Sequence, residues 1–287
     1  MFTQLISAQE LSSLIANGST ADLVILDSRH DLLDHQAGFK SYQQGHIPGA
    51  QFIDIETQLS GKKTSQDGRF LGRHPLPEQE DFLRVVRAFG IHNTTQVVVV
   101  DAHGGMYAAR VWWMLRWLGH AAVAVLDGGI PAWNSLGLSL ETGNAPPVGT
   151  LGTLQASTSL VRQVTLEQVL ANIGSQESVL VDARAPDRFR GENETIDPVG
   201  GHIPGAKNRF FKDNLQSDGR FKSAKQLRDE WLPLIGDGAQ GIMQCGSGVT
   251  ACHNLLALEI AGLPGAGLYP GSWSEWCADS SRPMVKD

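Results

Sequence analysis

The sequence contains only three cysteines among its 287 residues, and none of them forms a Cys-x-x-Cys pair. An odd and low cysteine count argues against a disulfide framework and against a structural zinc site. We therefore expect a cytoplasmic protein, whose thiols stay reduced, with no metal ion and no other cofactor. In such a protein a single accessible cysteine is a candidate nucleophile.

Long apolar runs and blocks of like charge are also missing. No apolar stretch approaches the roughly 20 residues that a membrane-spanning helix needs. The N-terminal segment MFTQLISAQELSSLIANG lacks the basic region and the apolar region of a signal peptide. The net charge is −7 and is not concentrated in any basic tract. We therefore expect neither a nucleic acid nor a membrane as a partner.

A series of short motifs occurs twice along the chain. An apolar run that closes on Asp-x-Arg lies at 23–29 and 179–184, GHIPGA at 45–50 and 201–206, and DGRF at 67–70 and 218–221. In each half an apolar strand, a turn of small residues and a helix follow, and an aromatic segment with glycine closes the half. Because the motifs recur in one order, we interpret the chain as a duplicated domain.

Strand-like and helix-like segments alternate in both halves. Short Val, Ile and Leu runs are typical of strands that are buried on both faces. Helical segments such as 7–17 and 165–173 begin at a Ser or Thr cap. This alternation predicts an α/β fold in which each half is a mostly parallel sheet flanked by helices. We expect an N-terminal domain over 1–142, a linker over 143–162 and a C-terminal catalytic domain over 163–287.

The loop Gln244-Cys245-Gly246-Ser247-Gly248-Val249-Thr250 is the main candidate for chemistry. It follows a predicted buried strand and precedes a predicted helix, so Cys245 would lie at the carboxyl end of the sheet, where α/β folds bind ligands. Gly246 and Gly248 permit backbone conformations that turn successive N–H groups inward. With the positive end of the helix, such a loop would stabilise an anionic sulfur on Cys245.

Other interpretations of the three cysteines remain possible. Cys245 would be a structural cysteine if it merely packed beside a glycine turn. The N-terminal half has Asp101-Ala102-His103-Gly104-Gly105-Met106 in place of the loop, and therefore no thiol. A cysteine phosphatase would need an arginine six residues after the cysteine to hold phosphoryl oxygens, and that position is Ala251. Cys252 and Cys277 are predicted to be packing residues.

The paired halves, the two HIPGA segments and the CGSGVT loop resemble the tandem rhodanese family of sulfurtransferases, over about residues 5–283. Members that use thiosulfate carry basic residues after the cysteine, whereas this loop is similar to that of the 3-mercaptopyruvate sulfurtransferase group. The resemblance implies transfer of a sulfane sulfur from 3-mercaptopyruvate to cyanide, a small thiol or a protein thiol, through a Cys245 persulfide and with release of pyruvate. Two alternatives stay open: a thiosulfate sulfurtransferase with the same persulfide, and a non-catalytic persulfide carrier or interaction module.

The resemblance also implies roles for individual residues. It implies a proton relay that runs from Ser247 through His74 to Glu56. It implies that Arg188 holds the carboxylate of the donor. The sulfur site would be formed by the backbone of Gly246, Gly248, Val249 and Thr250.

Some relatives carry a second substrate arginine within a Glu-Pro-Arg segment. This sequence reads Glu192-Asn193-Glu194-Thr195-Ile196-Asp197-Pro198 at that place and has no arginine there. Arg190 and Arg209 are the nearest candidates to replace it.

Residues that recur in both halves are predicted to be structural, because the half without a thiol has kept them. The two GHIPGA histidines, His46 and His202, are expected to stabilise a turn. The residues that close the first long strand of each half are expected to form strand-end salt bridges or caps, namely Asp27 with Arg29 and Asp182 with Arg184.

Overall fold

Two parallel sheets organise the chain in the computed structural model, which describes residues 1–18, 22–146, 148–236 and 240–286. Contacts divide the chain into two units. The N-terminal unit comprises Met1–Ser60, Pro77–Leu160 and Ser217–Phe221. The C-terminal unit comprises Gly61–Leu76, Val161–Gln216 and Lys222–Asp287. His74 therefore belongs to the C-terminal unit, although it comes from the first half of the sequence.

The N-terminal unit contains a five-stranded sheet in the order β1-β5-β4-β2-β3, and every strand pair in it is parallel. Its elements are β1 (Leu5–Ile6), α1 (Ala8–Ala16), β2 (Leu23–Asp27), α2 (Ala37–Gln44), β3 (Gln51–Phe52), α3 (Gln79–Ala88), β4 (Gln96–Val100), α4 (Ala108–Trp117), β5 (Val123–Leu126) and α5 (Gly129–Ser135). The central strands β2 and β4 pair from Leu23 with Gln96 to Asp27 with Val100.

The C-terminal unit contains the same arrangement, with the strand order β6-β10-β9-β7-β8 and parallel pairs throughout. Its elements are β6 (Arg162–Gln163), α6 (Leu166–Ser175), β7 (Leu180–Asp182), α7 (Pro186–Arg190), β8 (Lys207–Asn208), a 3-10 helix (Phe211–Asn214), α8 (Ala224–Ile235), β9 (Ile242–Gln244), α9 (Thr250–Ile260), β10 (Gly267–Leu268) and α10 (Ser272–Trp276). The predicted α/β fold with a parallel sheet in each half is confirmed.

Local sequence signals account for several helix starts. Ser7 and Glu10 form a capping box at the start of α1, and Thr165 and Gln168 form another at the start of α6. In α4 every residue from Ala108 to Leu115 is buried, and all of them except Arg110 are apolar. In the described parts of the chain, no helix combines the length and the apolar character needed to cross a membrane.

A buried ion pair closes the first long strand of each unit, as the sequence predicts. Arg29 forks onto Asp27, with Nε to Oδ1 at 3.0 Å and Nη2 to Oδ2 at 2.8 Å. The same Nη2 donates to the carbonyl of Gly45 at 2.7 Å. In the C-terminal unit Arg184 forks onto Asp182 and donates to the carbonyl of Gly201 at 2.7 Å. Each pair therefore ties a strand end to the first residue of a GHIPGA segment.

The GHIPGA histidines make matching contacts in the two units. His46 stacks on the ring of Tyr42 at 4.0 Å, and its Nδ1 lies 2.9 Å from the carbonyl oxygen of Tyr42. His202 stacks on the ring of Phe189 at 3.8 Å, and its Nδ1 lies 3.0 Å from the Phe189 carbonyl oxygen. These contacts stabilise a turn, in agreement with the sequence prediction.

The buried pair of the N-terminal unit generates a test of stability. We expect Arg29→Met to lower the free energy of unfolding by about 3–5 kcal/mol, because Asp27 then remains buried without its partner. Urea unfolding followed by tryptophan fluorescence measures the change. Arg84→Met, which removes an exposed pair with Asp81, is the control and should cost less than about 1 kcal/mol. Equal losses in the two variants would contradict the structural role of the buried pair.

Candidate active site

Cys245 lies where β9 ends, at the carboxyl edge of the C-terminal sheet. β9 is a central strand, paired with β7 on one side and β10 on the other. The loop that follows is short, since α9 begins at Thr250 with Val249 as its cap. The first N–H groups of a helix have no partner within the helix, so those of Val249 and Thr250 are available to an anion. This placement agrees with the sequence prediction for the loop.

Residues of α10 hold the backbone of the cysteine loop. The N–H of Cys245 donates to Ser272 Oγ at 3.1 Å. The N–H of Trp273 donates to the carbonyl of Cys245, and that of Ser274 donates to the carbonyl of Gly246, both at 2.9 Å. Ser272 has a φ of 55°, which is unusual for a residue other than glycine. The strained turn at Ser272 therefore directs three hydrogen bonds at the loop.

The two loop glycines are required for different reasons. Gly248 has a φ of +75°, and a Cβ on it would lie 2.4 Å from the carbonyl oxygen of Pro270. Gly246 does not have a positive φ, but a Cβ on it would lie 2.7 Å from Nη2 of Arg73. Gly248 therefore has a backbone conformation that glycine permits and most other residues do not. At Gly246 the small residue leaves space for a guanidinium group.

The structure brings together two residues of the predicted relay. Ser247 Oγ and His74 Nδ1 are 2.8 Å apart, and both side chains are buried. The segment that carries His74 is closed by a hydrogen bond from the N–H of Gly61 to the carbonyl of Pro75 at 2.9 Å. A serine hydroxyl at this distance from an imidazole can exchange a proton with it.

Glu56, the third predicted relay residue, belongs to the N-terminal unit. Within that unit its Oε1 lies 3.6 Å from Nδ1 of His35 and 4.0 Å from Nε2 of His30. Its part in a relay with His74 stays a prediction.

Arg188, the predicted carboxylate-binding residue, lies on α7 in a cluster of charged side chains. Its Nε and Nη2 donate to Glu194 at 3.0 and 2.8 Å, and Nη2 also approaches Asp197 at 3.3 Å. Burial opposes ionisation of Glu194, but hydrogen bonds from Arg188 and from backbone N–H groups outweigh it and lower the pKa of Glu194. For Asp197, burial prevails over the neighbouring arginines and raises the pKa. Arg188 is thus held by two acidic side chains with different tendencies to ionise.

The suggested replacements for the second substrate arginine have other partners. Arg190 forms an exposed fork with Glu192, at 2.9 and 2.7 Å. Arg209 pairs with Glu230 and lies over the ring of Trp231. Arg73, by contrast, shares Asp197 with Arg188, because both arginines form ion pairs with that carboxylate. Sequence reasoning missed Arg73, although it directly precedes the selected His74.

In the matching loop of the N-terminal unit, the carboxylate of Asp101 accepts the backbone N–H groups. Asp101 follows β4 as Cys245 follows β9, and its carboxylate accepts four backbone hydrogen bonds. Oδ1 accepts from His103 and Gly105 at 2.9 and 3.0 Å. Oδ2 accepts from Tyr107 and Ala108 at 2.8 and 3.0 Å. A loop of this kind therefore offers converging N–H groups to an anion at the strand end.

The other two cysteines have the packing roles that the sequence predicts. All three cysteines are free thiols. Cys252 is buried in α9, and its thiol donates to the carbonyl of Gly248 at 3.3 Å. Cys277 packs in the core of the C-terminal unit, and burial raises its pKa to about 11. A thiol with that pKa is a poor nucleophile at neutral pH.

The fold and the loop together define an α/β protein of two like units. One of them carries Cys245, which is buried rather than accessible, in a loop that leads into the N-terminus of a helix. The family model for the rhodanese-like domain matches the chain twice, at residues 7–136 and 165–279. The chain belongs to the rhodanese-like family, and it is a sulfurtransferase. The resemblance noted in the sequence is confirmed.

Known relatives carry the names of two sulfur donors. A Pseudomonas aeruginosa protein named "Probable 3-mercaptopyruvate sulfurtransferase" is 45% identical, with 98% of each chain covered. A thiosulfate sulfurtransferase of Cricetulus griseus is 37% identical over 96% of this chain and 92% of its own. The crystal structure of SseA from Escherichia coli, described as a 3-mercaptopyruvate sulfotransferase, matches with a TM-score of 0.80 at 31% identity, over 95% of this chain and 100% of its own.

The filled loop of the N-terminal unit generates a second test of stability. We expect Asp101→Ala to lower the free energy of unfolding by at least about 3 kcal/mol, because four backbone N–H groups, three of them in buried hydrogen bonds, lose a charged acceptor. Asp101→Asn keeps one acceptor oxygen and should lose less. Asp229→Ala, which removes an exposed acid on α8, is the control and should stay within about 0.5 kcal/mol. A loss for Asp101→Ala as small as that of the control would refute the role of this carboxylate as an internal anion.

Proposed function

We propose that this sulfurtransferase moves a sulfane sulfur from 3-mercaptopyruvate to a thiophilic acceptor through a persulfide on Cys245. The observation that carries the proposal is the 2.8 Å contact between Ser247 and His74 beside a loop without a cationic side chain at 246–250. A relay of this kind suits a donor whose leaving group must be protonated. Thiosulfate is a dianion and would instead be served by cations in the loop.

The first step forms the persulfide. The Cys245 thiolate attacks the sulfur of 3-mercaptopyruvate, a bond forms between the two sulfurs, and the bond between sulfur and carbon breaks. The electron pair of the broken bond leaves on carbon as the enolate of pyruvate, which then takes up a proton to give pyruvate. The thiol proton of the donor is released from the new persulfide, whose anionic sulfur accepts hydrogen bonds from the loop.

The second step returns the enzyme to its starting state. A cyanide ion or the thiolate of an acceptor attacks the outer sulfur of the persulfide. The bond between the two sulfurs breaks, and its electron pair stays on Cys245 as a thiolate. The products are thiocyanate or an acceptor persulfide, and no electrons are left over.

The relay residues have separate tasks in this proposal. Ser247 and His74 exchange the proton that the leaving enolate requires. Glu56 would orient the imidazole of His74. This role is supported by the sequence position of Glu56, which matches that of the acidic residue in the family. Arg188 binds the carboxylate of the donor through the guanidinium N–H groups that its bonds to Glu194 and Asp197 leave over.

The proposal also covers domain organisation and location. We propose that the N-terminal domain covers 1–142 and the catalytic domain covers 163–287. The two domains are tandem repeats joined by a linker over 143–162. The free thiols of the three cysteines support a reducing, cytoplasmic environment.

Donor kinetics test the proposal directly. Initial rates with cyanide as acceptor should give a higher kcat/KM for 3-mercaptopyruvate than for thiosulfate. Intact mass spectrometry should detect the added mass of one sulfur atom after the donor reacts without acceptor. Cys245→Ser should abolish both signals, whereas Cys277→Ser should retain them. Activity that survives in Cys245→Ser would refute the persulfide, a preference for thiosulfate would reassign the donor, and persulfide formation with only slow turnover would indicate a carrier.

The relay has a test of its own. We expect His74→Ala to lower kcat with 3-mercaptopyruvate by about 10²–10⁴-fold, because general acid–base catalysis contributes that much. The rate with thiosulfate should change far less, since its leaving sulfite needs no proton from the relay. His92→Ala, which removes a histidine that contacts Thr153 in the N-terminal unit, is the control. An equal loss with both donors in His74→Ala would contradict a proton-relay role.

A further inference from the structure

Arg73 lies against the first residue after the reactive cysteine. Its Nη2 is 2.7 Å from the place that a Cβ on Gly246 would occupy. Nη2 of Arg188 is 3.7 Å from the same place. Two guanidinium groups therefore flank the residue next to Cys245.

The backbone around Arg73 is fixed to the same loop. The N–H of Arg73 donates to Ser274 Oγ at 3.1 Å, while the N–H of Ser274 donates to the carbonyl of Gly246 at 2.9 Å. The preceding Gly72 has a φ of +104°, and a Cβ on it would lie 2.9 Å from the carbonyl oxygen of Gly271. Ser274 thus couples Arg73 to the cysteine loop, and only a glycine at position 72 allows this close approach.

A carboxylate of the chain already bridges the two arginines. Asp197 accepts from Arg73 through Oδ1 and from Arg188 through Oδ2. The Asp197 side chain is 2% exposed, whereas those of Arg73 and Arg188 are 23% and 19% exposed. Each guanidinium has five N–H donors. Arg188 uses Nε and Nη2 on Glu194 and Asp197, and Arg73 uses Nη1 on Asp197, so both keep donors for a second anion. Asp197 supports the pair from its buried side.

The charges in this cluster balance. It contains the arginines Arg73, Arg184 and Arg188 and the acids Asp182, Glu194 and Asp197, linked by ion pairs. Three positive and three negative groups leave little net field to attract a dianion. What remains is a set of directed N–H groups, which suits a planar monoanionic carboxylate.

We propose that Arg73 and Arg188 together bind the anionic group of the sulfur donor. Asp197 positions both guanidinium groups, and its negative charge favours a monoanionic donor over a dianionic one. Arg73 thereby takes the place of the second arginine that the sequence lacks between residues 192 and 198. The inference rests on the proposed function in one respect, namely that the sulfur donor is an anion.

Steady-state kinetics test the role of Arg73. Arg73→Met should raise KM for 3-mercaptopyruvate by about 10–100-fold, the range of a charge-assisted hydrogen bond, with kcat changed by less than about three-fold. Arg73→Lys keeps the charge without the fork and should recover part of the loss. Arg69→Met removes an exposed arginine of the same segment that pairs with Glu167, and it should behave as the parent protein. A parent-like KM in Arg73→Met would overturn the proposal.

A second readout does not depend on sulfur transfer. Cys245 is alkylated with iodoacetate, which is an anion, and with iodoacetamide, which is neutral, and both rates are followed by mass spectrometry of the Cys245 peptide. The ratio of the iodoacetate rate to the iodoacetamide rate should fall by about ten-fold in Arg73→Met and in Arg188→Met and stay constant in Arg69→Met. A constant ratio in Arg73→Met, with a fall in Arg188→Met, would overturn the role of Arg73 even if the donor assignment holds. A fall in both, with thiosulfate as the better donor, would refute the proposed donor and leave this inference standing.

Asp197→Asn tests the charge limit. The variant leaves the cluster with one more positive than negative group, so kcat/KM for thiosulfate should rise by at least about five-fold relative to that for 3-mercaptopyruvate. A purely structural role would lower both values together. If the ratio of the two kcat/KM values does not change, Asp197 does not select donors by their charge, and that part of the proposal is wrong.

Discussion

The buried pair of Asp182 and Arg184 is the constraint on which the active unit depends. Two charges that leave water must satisfy one another, so Arg184 forks onto Asp182, and its Nη2 also donates to the carbonyl of Gly201. This fixes the end of β7 against the GHIPGA turn. The Cδ of Arg184 lies 3.9 Å from the place of a Cβ on Gly246, so the cysteine loop rests on the side chain that closes this pair. The same pair recurs in the N-terminal unit, where no thiol is present.

The repeated motifs made most of the fold predictable. Continuous apolar runs between capped helices predict parallel strands. Because the motifs recur in the same order, they predict the same sheet twice. The position of Cys245 followed from its place after a buried strand. The contact of Ser247 with His74 could be expected only through the family resemblance, because 173 residues separate the two. Periodicity carries no information at that range.

The arginines show where sequence reasoning fails. Arg190 and Arg209 are near the missing position along the chain, but Glu192 and Glu230 hold them elsewhere. Arg73 is 124 residues from Asp197, and nothing in its local pattern predicts that pair. Gly246 is a further example, because a Cβ there would meet the guanidinium group of Arg73, a side chain distant in sequence. Long-range ion pairs are set by tertiary packing, which a linear pattern does not contain.

The two loops differ in when their backbone N–H groups acquire an anionic partner. In the N-terminal unit the anion is part of the chain, so its hydrogen bonds form once, during folding. In the C-terminal unit the proposed anion is the transferred sulfur, which arrives and departs in every cycle. Any species that binds only the folded state adds to its stability. In the proposed mechanism the bound sulfur therefore stabilises the C-terminal unit only while it is present, whereas the Asp101 carboxylate stabilises the N-terminal unit at all times.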